Sequence, residues 1–472
     1  MILILLIVVT GGLLVFNYYL GRKDIFAPGF LFCLVFFIGE LVCLINVSAF
    51  SIELHANTLL VISLGLAGFT LISFIWFRYI NPVDTGGYTR AEIQPILFSN
   101  IWILILIFLQ LATIVGFVLY LRNLMDAYQE LYGVTVTGGL TEQISMYDTL
   151  TKFRQTQFSH LSSVVSIPYI WRIGNPICYS CEYISLYIVI NNWIAKHKVN
   201  LLQICVIVLM IIRIIINGSR SPILRIVTAA LTIFIVLKYR SSDTGRKEKL
   251  KMAGRIVIIL AFSGAAMIAL LFAMGRGSKI GDLKTYLFIY TGAPIVNLDH
   301  FLQEFSYGFI TGNSDSVYFG AQTFRSLYNY IGKLFHIESL QFQSVLPFMY
   351  SDNGIEIGNV FTMFQNPVYD FGFIGSFLLS ATMAVYYVAA YNKIRRKPER
   401  KQKIDYWLLF YAYLINDLIM SVFSCRFYET VLDAPFLKFA VLIWLGGGLL
   451  LEHHIKSGRK IWNFKITKST KD

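Results

Sequence analysis

The chain has 472 residues, 56% of them hydrophobic and only 14% charged, with a mean hydropathy of +0.63. A soluble domain carries about a quarter charged residues, so this composition excludes a single aqueous globule that buries its own core. The net charge of +13 does not mark a nucleic-acid partner, because the excess lies in loops on one side of a series of apolar segments.

The apolar residues fall in blocks of about 18 to 25, the length that spans a bilayer as a helix, and the alternating strands of a membrane barrel are absent. In chain order the predicted spans are 2–20, 26–47, 57–77, 97–120, 161–195, 199–216, 222–238, 254–275, 367–391, 404–424 and 435–452. The first block lacks a basic start and a small-residue cleavage site, so it reads as a retained span. The fifth is too long for one straight span, and Pro168 and Pro176 are expected to divide it. The expected fold is an all-α polytopic membrane protein of about eleven transmembrane helices.

Loop charge sets the orientation. The loops at 21–25, 78–96, 196–198, 238–253, 392–403 and the basic tail 453–472 hold 25 Lys and Arg, against 10 in the longer opposite set. The first set is therefore cytoplasmic, with the N-terminus out and the C-terminus in. The basic runs also meet lipid headgroups. The chain divides into N-terminal membrane helices (1–275, with an outer loop near 121–160), a large outer loop (276–366), C-terminal membrane helices (367–452) and the tail. The large loop is too long for a connector and reads as a folded cap on the outer leaflet.

The six cysteines lie mostly within apolar blocks, and Cys178-Tyr-Ser-Cys181 has redox spacing without a βαβ context, so inert thiols are expected. Charges inside spans (Glu40, Glu182, Asp417) are costly, and pairing with internal arginines is the expected outcome. Glu40 and Asp417 would otherwise mark the proton path of a transporter.

The most informative turn is Asn217-Gly-Ser-Arg-Ser-Pro-Ile-Leu-Arg225. Ser221 is placed to cap the next helix and Pro222 to occupy its first position, so free N–H groups and the positive dipole end point outward. Arg220 lies in the turn, Arg225 one turn inside, and Arg213 one turn before the preceding span ends. Such convergence of guanidinium groups suits a phosphate or diphosphate. Ser219 and Ser221 add hydroxyls, and Arg276 ends another span on the same side. The competing reading has these arginines snorkelling to the interface or pairing with Glu182.

Two further outer helix starts recur, Asn366-Pro-Val-Tyr-Asp370 and Asp433-Ala-Pro435. In each a carboxylate either offsets the dipole or faces a reaction site. The large loop offers Asp299, His300, Glu304, Asp315, His336, Glu338, Asp352 and Glu356 as proton acceptors, most of them expected to be solvated. No zinc spacing, Walker A motif, dinucleotide fingerprint or Gly-x-Ser-x-Gly elbow occurs.

The stretch Tyr290-Thr-Gly-Ala-Pro-Ile-Val-Asn-Leu-Asp-His-Phe-Leu302 resembles the start of the large periplasmic loop of bacterial oligosaccharide repeat-unit polymerases of the Wzy type. Gly358-Asn-Val-Phe-Thr-Met-Phe-Gln-Asn-Pro-Val-Tyr-Asp-Phe-Gly-Phe-Ile-Gly375 resembles its end, and Gly218-Ser-Arg-Ser221 is similar to a family feature. The resemblance covers residues 200 to 450. It implies a glycosyltransferase C-like fold in the bacterial inner membrane. The implied activity is metal-independent glycosyl transfer between undecaprenyl-diphosphate-linked oligosaccharides, building O-antigen or capsule. No cofactor is implied; a chain-length regulator and a flippase are the implied partners. On this reading Arg213, Arg220, Arg225, Arg276, Ser219 and Ser221 hold the diphosphate. The base is Asp299, His300, Asp352 or Asp370, and Arg426 and Tyr369 are lesser candidates. An O-antigen ligase is the near alternative, and a lipid flippase or transporter the distant one.

Overall fold

The structure, a computed structural model, describes residues 1–80, 93–134, 136, 138–196, 199–218, 221–241, 254, 283–304, 308–312, 318–341, 346–396 and 404–446. The described residues are overwhelmingly helical. The first helices are α1 (Ile2–Leu20), α2 (Pro28–Phe50) and α3 (Ala56–Ile75, continued by a π turn to Ile80). Then come α4 (Asn100–Tyr132), α5 (Leu140–Phe153), α6 (Gln155–Val164), α7 (Tyr169–Lys196), α8 (Leu201–Ile216) and α9 (Ser221–Ser241). The 276–366 segment contributes α10 (Leu283–Thr291), α11 (Ala293–Glu304), α12 (Arg325–Phe335) and a short antiparallel pair, β1 (Met349–Tyr350) with β2 (Glu356–Gly358). The chain continues as α13 (Gln365–Phe371), α14 (Phe373–Arg396), α15 (Tyr406–Ile419), α16 (Arg426–Val431) and α17 (Ala434–Leu445).

Six of these helices, α1, α2, α3, α4, α9 and α14, are long and apolar enough to cross a membrane, and three shorter apolar ones begin at Leu201, Tyr406 and Ala434. Their burial is inverted relative to a soluble bundle. Ile4, Val8, Phe108 and Val115 face outward, while Thr10, Asn17, Glu40, Gln110, Thr113 and Glu182 are buried between helices. With hydrocarbon outside, apolar burial does not drive helices together, and close packing and interhelical hydrogen bonds take over. Asn17 on α1 donates to Thr70 on α3 at 2.8 Å, and Thr10 on α1 donates to Glu40 on α2 at 2.8 Å. Glu40 thus meets a hydroxyl where an arginine was expected. Asp417 and Glu182 do pair with arginines.

The tightest packing joins α3 to α14. A Cβ at Gly68 would lie 2.4 Å from the Phe377 carbonyl oxygen, and one at Gly65 would run into the Phe364 ring.

Several boundaries differ from expectation. Helix α4 runs past residue 120 to Tyr132, where Gly133 ends it in the left-handed region at φ 67°. With α5 and α6 it encloses a core around Phe117, Leu121, Tyr128 and Leu150, so the 121–160 segment is a helical cap. Pro168 precedes α7, and Pro176 lies inside it without ending it. Cys205 is exposed, while Cys33, Cys43, Cys178 and Cys425 are buried. Asn366 does not cap a span: it lies inside α13, and Gly372 (φ 70°) turns the chain into α14. Phe373 and Ile374 donate to the carbonyls of Gly308 and Phe309, tying the end of the large loop to its middle. The expected span 254–275 and the tail lie outside the described residues, Gly254 excepted.

Because Gly68 abuts backbone, Gly68→Ala should cost about 1–3 kcal/mol of stability. Thermal unfolding in detergent should show a fall of several degrees. Gly12→Ala, at a glycine with open space around it, should leave the transition in place.

Candidate functional site

A polar cavity of about 400 Å³ opens where three helices begin. Ser221 and Pro222 from the start of α9, Arg325 and Ser326 from the start of α12, and Asp433 and Pro435 from the start of α17 all line it. Arg225, one turn into α9, and Arg426, the first residue of α16, complete a set of three arginines with Arg325. Unsatisfied N–H groups and the positive dipole end at each helix start favour an anion there.

Each arginine is held differently. Arg225 clamps Asp417 on α15, its Nη2 donating to Oδ1 at 2.7 Å and its Nη1 to Oδ2 at 3.3 Å. Its guanidinium stacks over Tyr413, 4.5 Å from the ring centre. Arg325 donates to Glu429 on α16 at 3.2 Å. Arg426 forms no ion pair among the described residues, although it lines a small adjoining void with Asp417. Asp433 adopts the extended geometry of a helix cap without a side-chain capping bond. Burial pushes its carboxyl above the ordinary aspartate range, against the opposing pull of the Ala434 N–H and of Lys333.

Several candidates from the sequence lie elsewhere. Arg213 is buried within the bundle, where it meets Glu182 on α7 through two contacts and also donates to Asn175. Gln110 on α4 donates to the same glutamate at 2.7 Å. Arg213 does not line the cavity. Ser219, Arg220 and Arg276 lie outside the described residues. Ser221 is the first described residue of α9, so the expected cap falls at the edge of the described residues.

Asp299, His300 and Asp352 come together at the start of α3, away from the cavity lining. Asp299 is fully buried; its carboxylate accepts from the His55 N–H at 2.8 Å and the Thr58 hydroxyl at 2.5 Å, and meets the His55 ring Nδ1 at 2.8 Å. The hydrogen bond to Asp299 raises the His55 pKa, against desolvation. His300 and Asp352 approach to 3.4 Å. Asp370 accepts from the backbone N–H groups of Gln322 at 3.2 Å and Thr323 at 2.7 Å, anchoring the segment just before α12. Burial raises its pKa, and the Thr323 bonds oppose the shift. Tyr369 packs half-buried against the main core.

Sequence reasoning overlooked Arg325 and His55. One signal was available for Arg325: it and Arg276 are the two arginines in the whole 276–366 segment.

Breaking a buried pair leaves an uncompensated charge, at a cost of about 3–5 kcal/mol, whereas replacing both members is near neutral. Arg213→Leu or Glu182→Leu alone should therefore lower the unfolding temperature sharply, and the double variant should regain most of it. Unchanged stability in both single variants would contradict a structural pair. No family model, curated protein or solved structure matches this chain.

Proposed function

We propose that the chain is a membrane glycosyltransferase that polymerises undecaprenyl-diphosphate-linked oligosaccharide repeat units on the outer face of the bacterial cytoplasmic membrane. The proposal includes eleven spans with the N-terminus out, a glycosyltransferase C-like fold, and a flippase and chain-length regulator as partners. The observation that carries it is the meeting of three arginines and three helix starts in one polar cavity.

In this reaction the acceptor sugar hydroxyl attacks the anomeric carbon of the lipid-linked chain. The carbon–oxygen bond to the diphosphate breaks, and the diphosphate leaves with the electron pair. The charge that develops on it calls for fixed donors in a site shielded from bulk water. Arg426 is available without displacing a carboxylate, and Arg225 stays aimed by Asp417. Arg325 is released when the diphosphate takes the place of Glu429. Arg220 and Arg276 remain proposed contributors, and Ser221 adds a hydroxyl. Asp433 takes the acceptor's proton, since a raised carboxyl pKa makes a stronger base. The His55–Asp299 and His300–Asp352 pairs meet sugar hydroxyls farther along the chain.

Arg325→Ala and Arg426→Ala should each reduce polymerisation by about 100-fold, the usual loss when one charge-stabilising donor is removed. Lipid-linked single units should accumulate on the outer face while the protein stays in the membrane. Full-length polymer in both variants would refute the diphosphate site. Accumulation on the cytoplasmic face would favour a flippase, and loss of chain attachment with normal chain length a ligase.

The base has its own signature. Only ionised Asp433 accepts a proton, so activity should fall on acidification at a pH above the ordinary aspartate range. Asp433→Asn should abolish turnover and retain binding of the lipid diphosphate.

A further inference from the structure

We infer that helix α12 lies in the outer headgroup layer of the bilayer, its apolar stripe turned into the lipid and its opposite edge forming one wall of the cationic cavity. The inference requires a membrane-embedded chain and is independent of the transferase reading.

The first observation is the direction of the stripe. Leu327, Ile331, Leu334 and Phe335 recur at the spacing that puts them on one face of a helix. In an aqueous cap such a stripe faces the core. Here Leu334 is 56% and Phe335 65% exposed, and the buried position on the helix is Gly332. Phe319, whose carbonyl accepts from Tyr328 of α12 at 2.7 Å, is exposed as well.

The second observation fixes the depth. Helix α12 packs against the outer end of α17, whose outward face carries the exposed apolar residues Leu437, Val441 and Trp444. The exposed stripe of α12 thus lies beside a helix whose own exposed face is apolar. Lys333 of α12 and Lys438 of α17 both lie close enough to Asp433 to act on its charge. Two lysines at the level where α17 begins, above an apolar surface, are complementary to the phosphate layer of a lipid leaflet. Arg325 starts the same helix, so the cavity wall sits at headgroup height, level with the diphosphate of a prenyl lipid. A lipid surface, rather than a protein partner, is the occupant that this lysine level and the adjoining apolar face require.

The test is depth-dependent quenching on the full chain in liposomes, with exposed Cys205 replaced by alanine. The probe is an environment-sensitive thiol label placed singly at Leu334→Cys, Phe335→Cys and Lys333→Cys, positions whose exposure leaves internal packing untouched. Labels at 334 and 335 should show blue-shifted emission and lose most of it to phosphatidylcholine carrying a nitroxide high on its acyl chain. The label at 333 should instead be quenched by aqueous iodide. Equal iodide quenching at all three positions would overturn the inference. So would a disulfide between two Phe335→Cys chains in place of lipid quenching, since a second copy would then cover the face.

Discussion

A guanidinium inside a bilayer must find a carboxylate, and the Arg225–Asp417 pair is where this constraint shapes the molecule. A charge left unpaired within a span is costly, so an arginine near its end is held by a carboxylate partner. The two-pronged contact and the Tyr413 ring beneath it lock α9 against α15. That lock sets the height of the first turn of α9, and with it the position of Ser221 and Pro222 at the cavity. The Arg213–Glu182 pair performs the same electrostatic task between α8 and α7, with Gln110 and Asn175 filling the remaining hydrogen-bond positions. One pair is sealed into the bundle. The other opens onto space.

The remaining walls are brought in by the 276–366 segment. Asp370 holds the backbone at Gln322 and Thr323, which delivers Arg325 at the start of α12. The left-handed turn at Gly372 lets α13 and α14 break apart, and a Cβ there would strike the Gly308 carbonyl at 2.5 Å. Close approach of α3 and α14 at Gly68 supplies the rigid base behind this junction. The cavity thus draws most of its polar groups from helix termini, whereas Thr10, Asn17, Glu40 and Gln110 pair theirs between helix faces.

Local pattern was readable and long-range pairing was not. Blocks of apolar residues located the long helices α1–α4, α7–α9, α14, α15 and α17, because hydropathy and length are properties of a window, but did not resolve the shorter α5, α6, α10–α13 and α16. Ser221, Pro222 and Arg225 of the 217–225 stretch, and Asp433 and Pro435, all singled out in the sequence, line the cavity, although Asp433 makes no side-chain capping bond. Arg325 was not, since its partner Glu429 lies 104 residues away and its neighbours read as loop. His55 is separated from Asp299 by 244 residues. Carboxylates along the large loop looked equivalent because a sequence carries no burial; in the fold Asp299 is fully enclosed and Asp352 half-exposed. Glu40 found Thr10 rather than an arginine, a pairing set by how α1 packs on α2.

What unites these features is a polar niche in which positive side chains and helix starts face one another. The most direct measurement is an experimental density map of the chain in lipid nanodiscs with a short-chain prenyl diphosphate. The account predicts diphosphate density between Arg225, Arg325 and Arg426, with Glu429 swung away from Arg325. Density confined to another part of the molecule, with the Arg325–Glu429 contact intact, would contradict it.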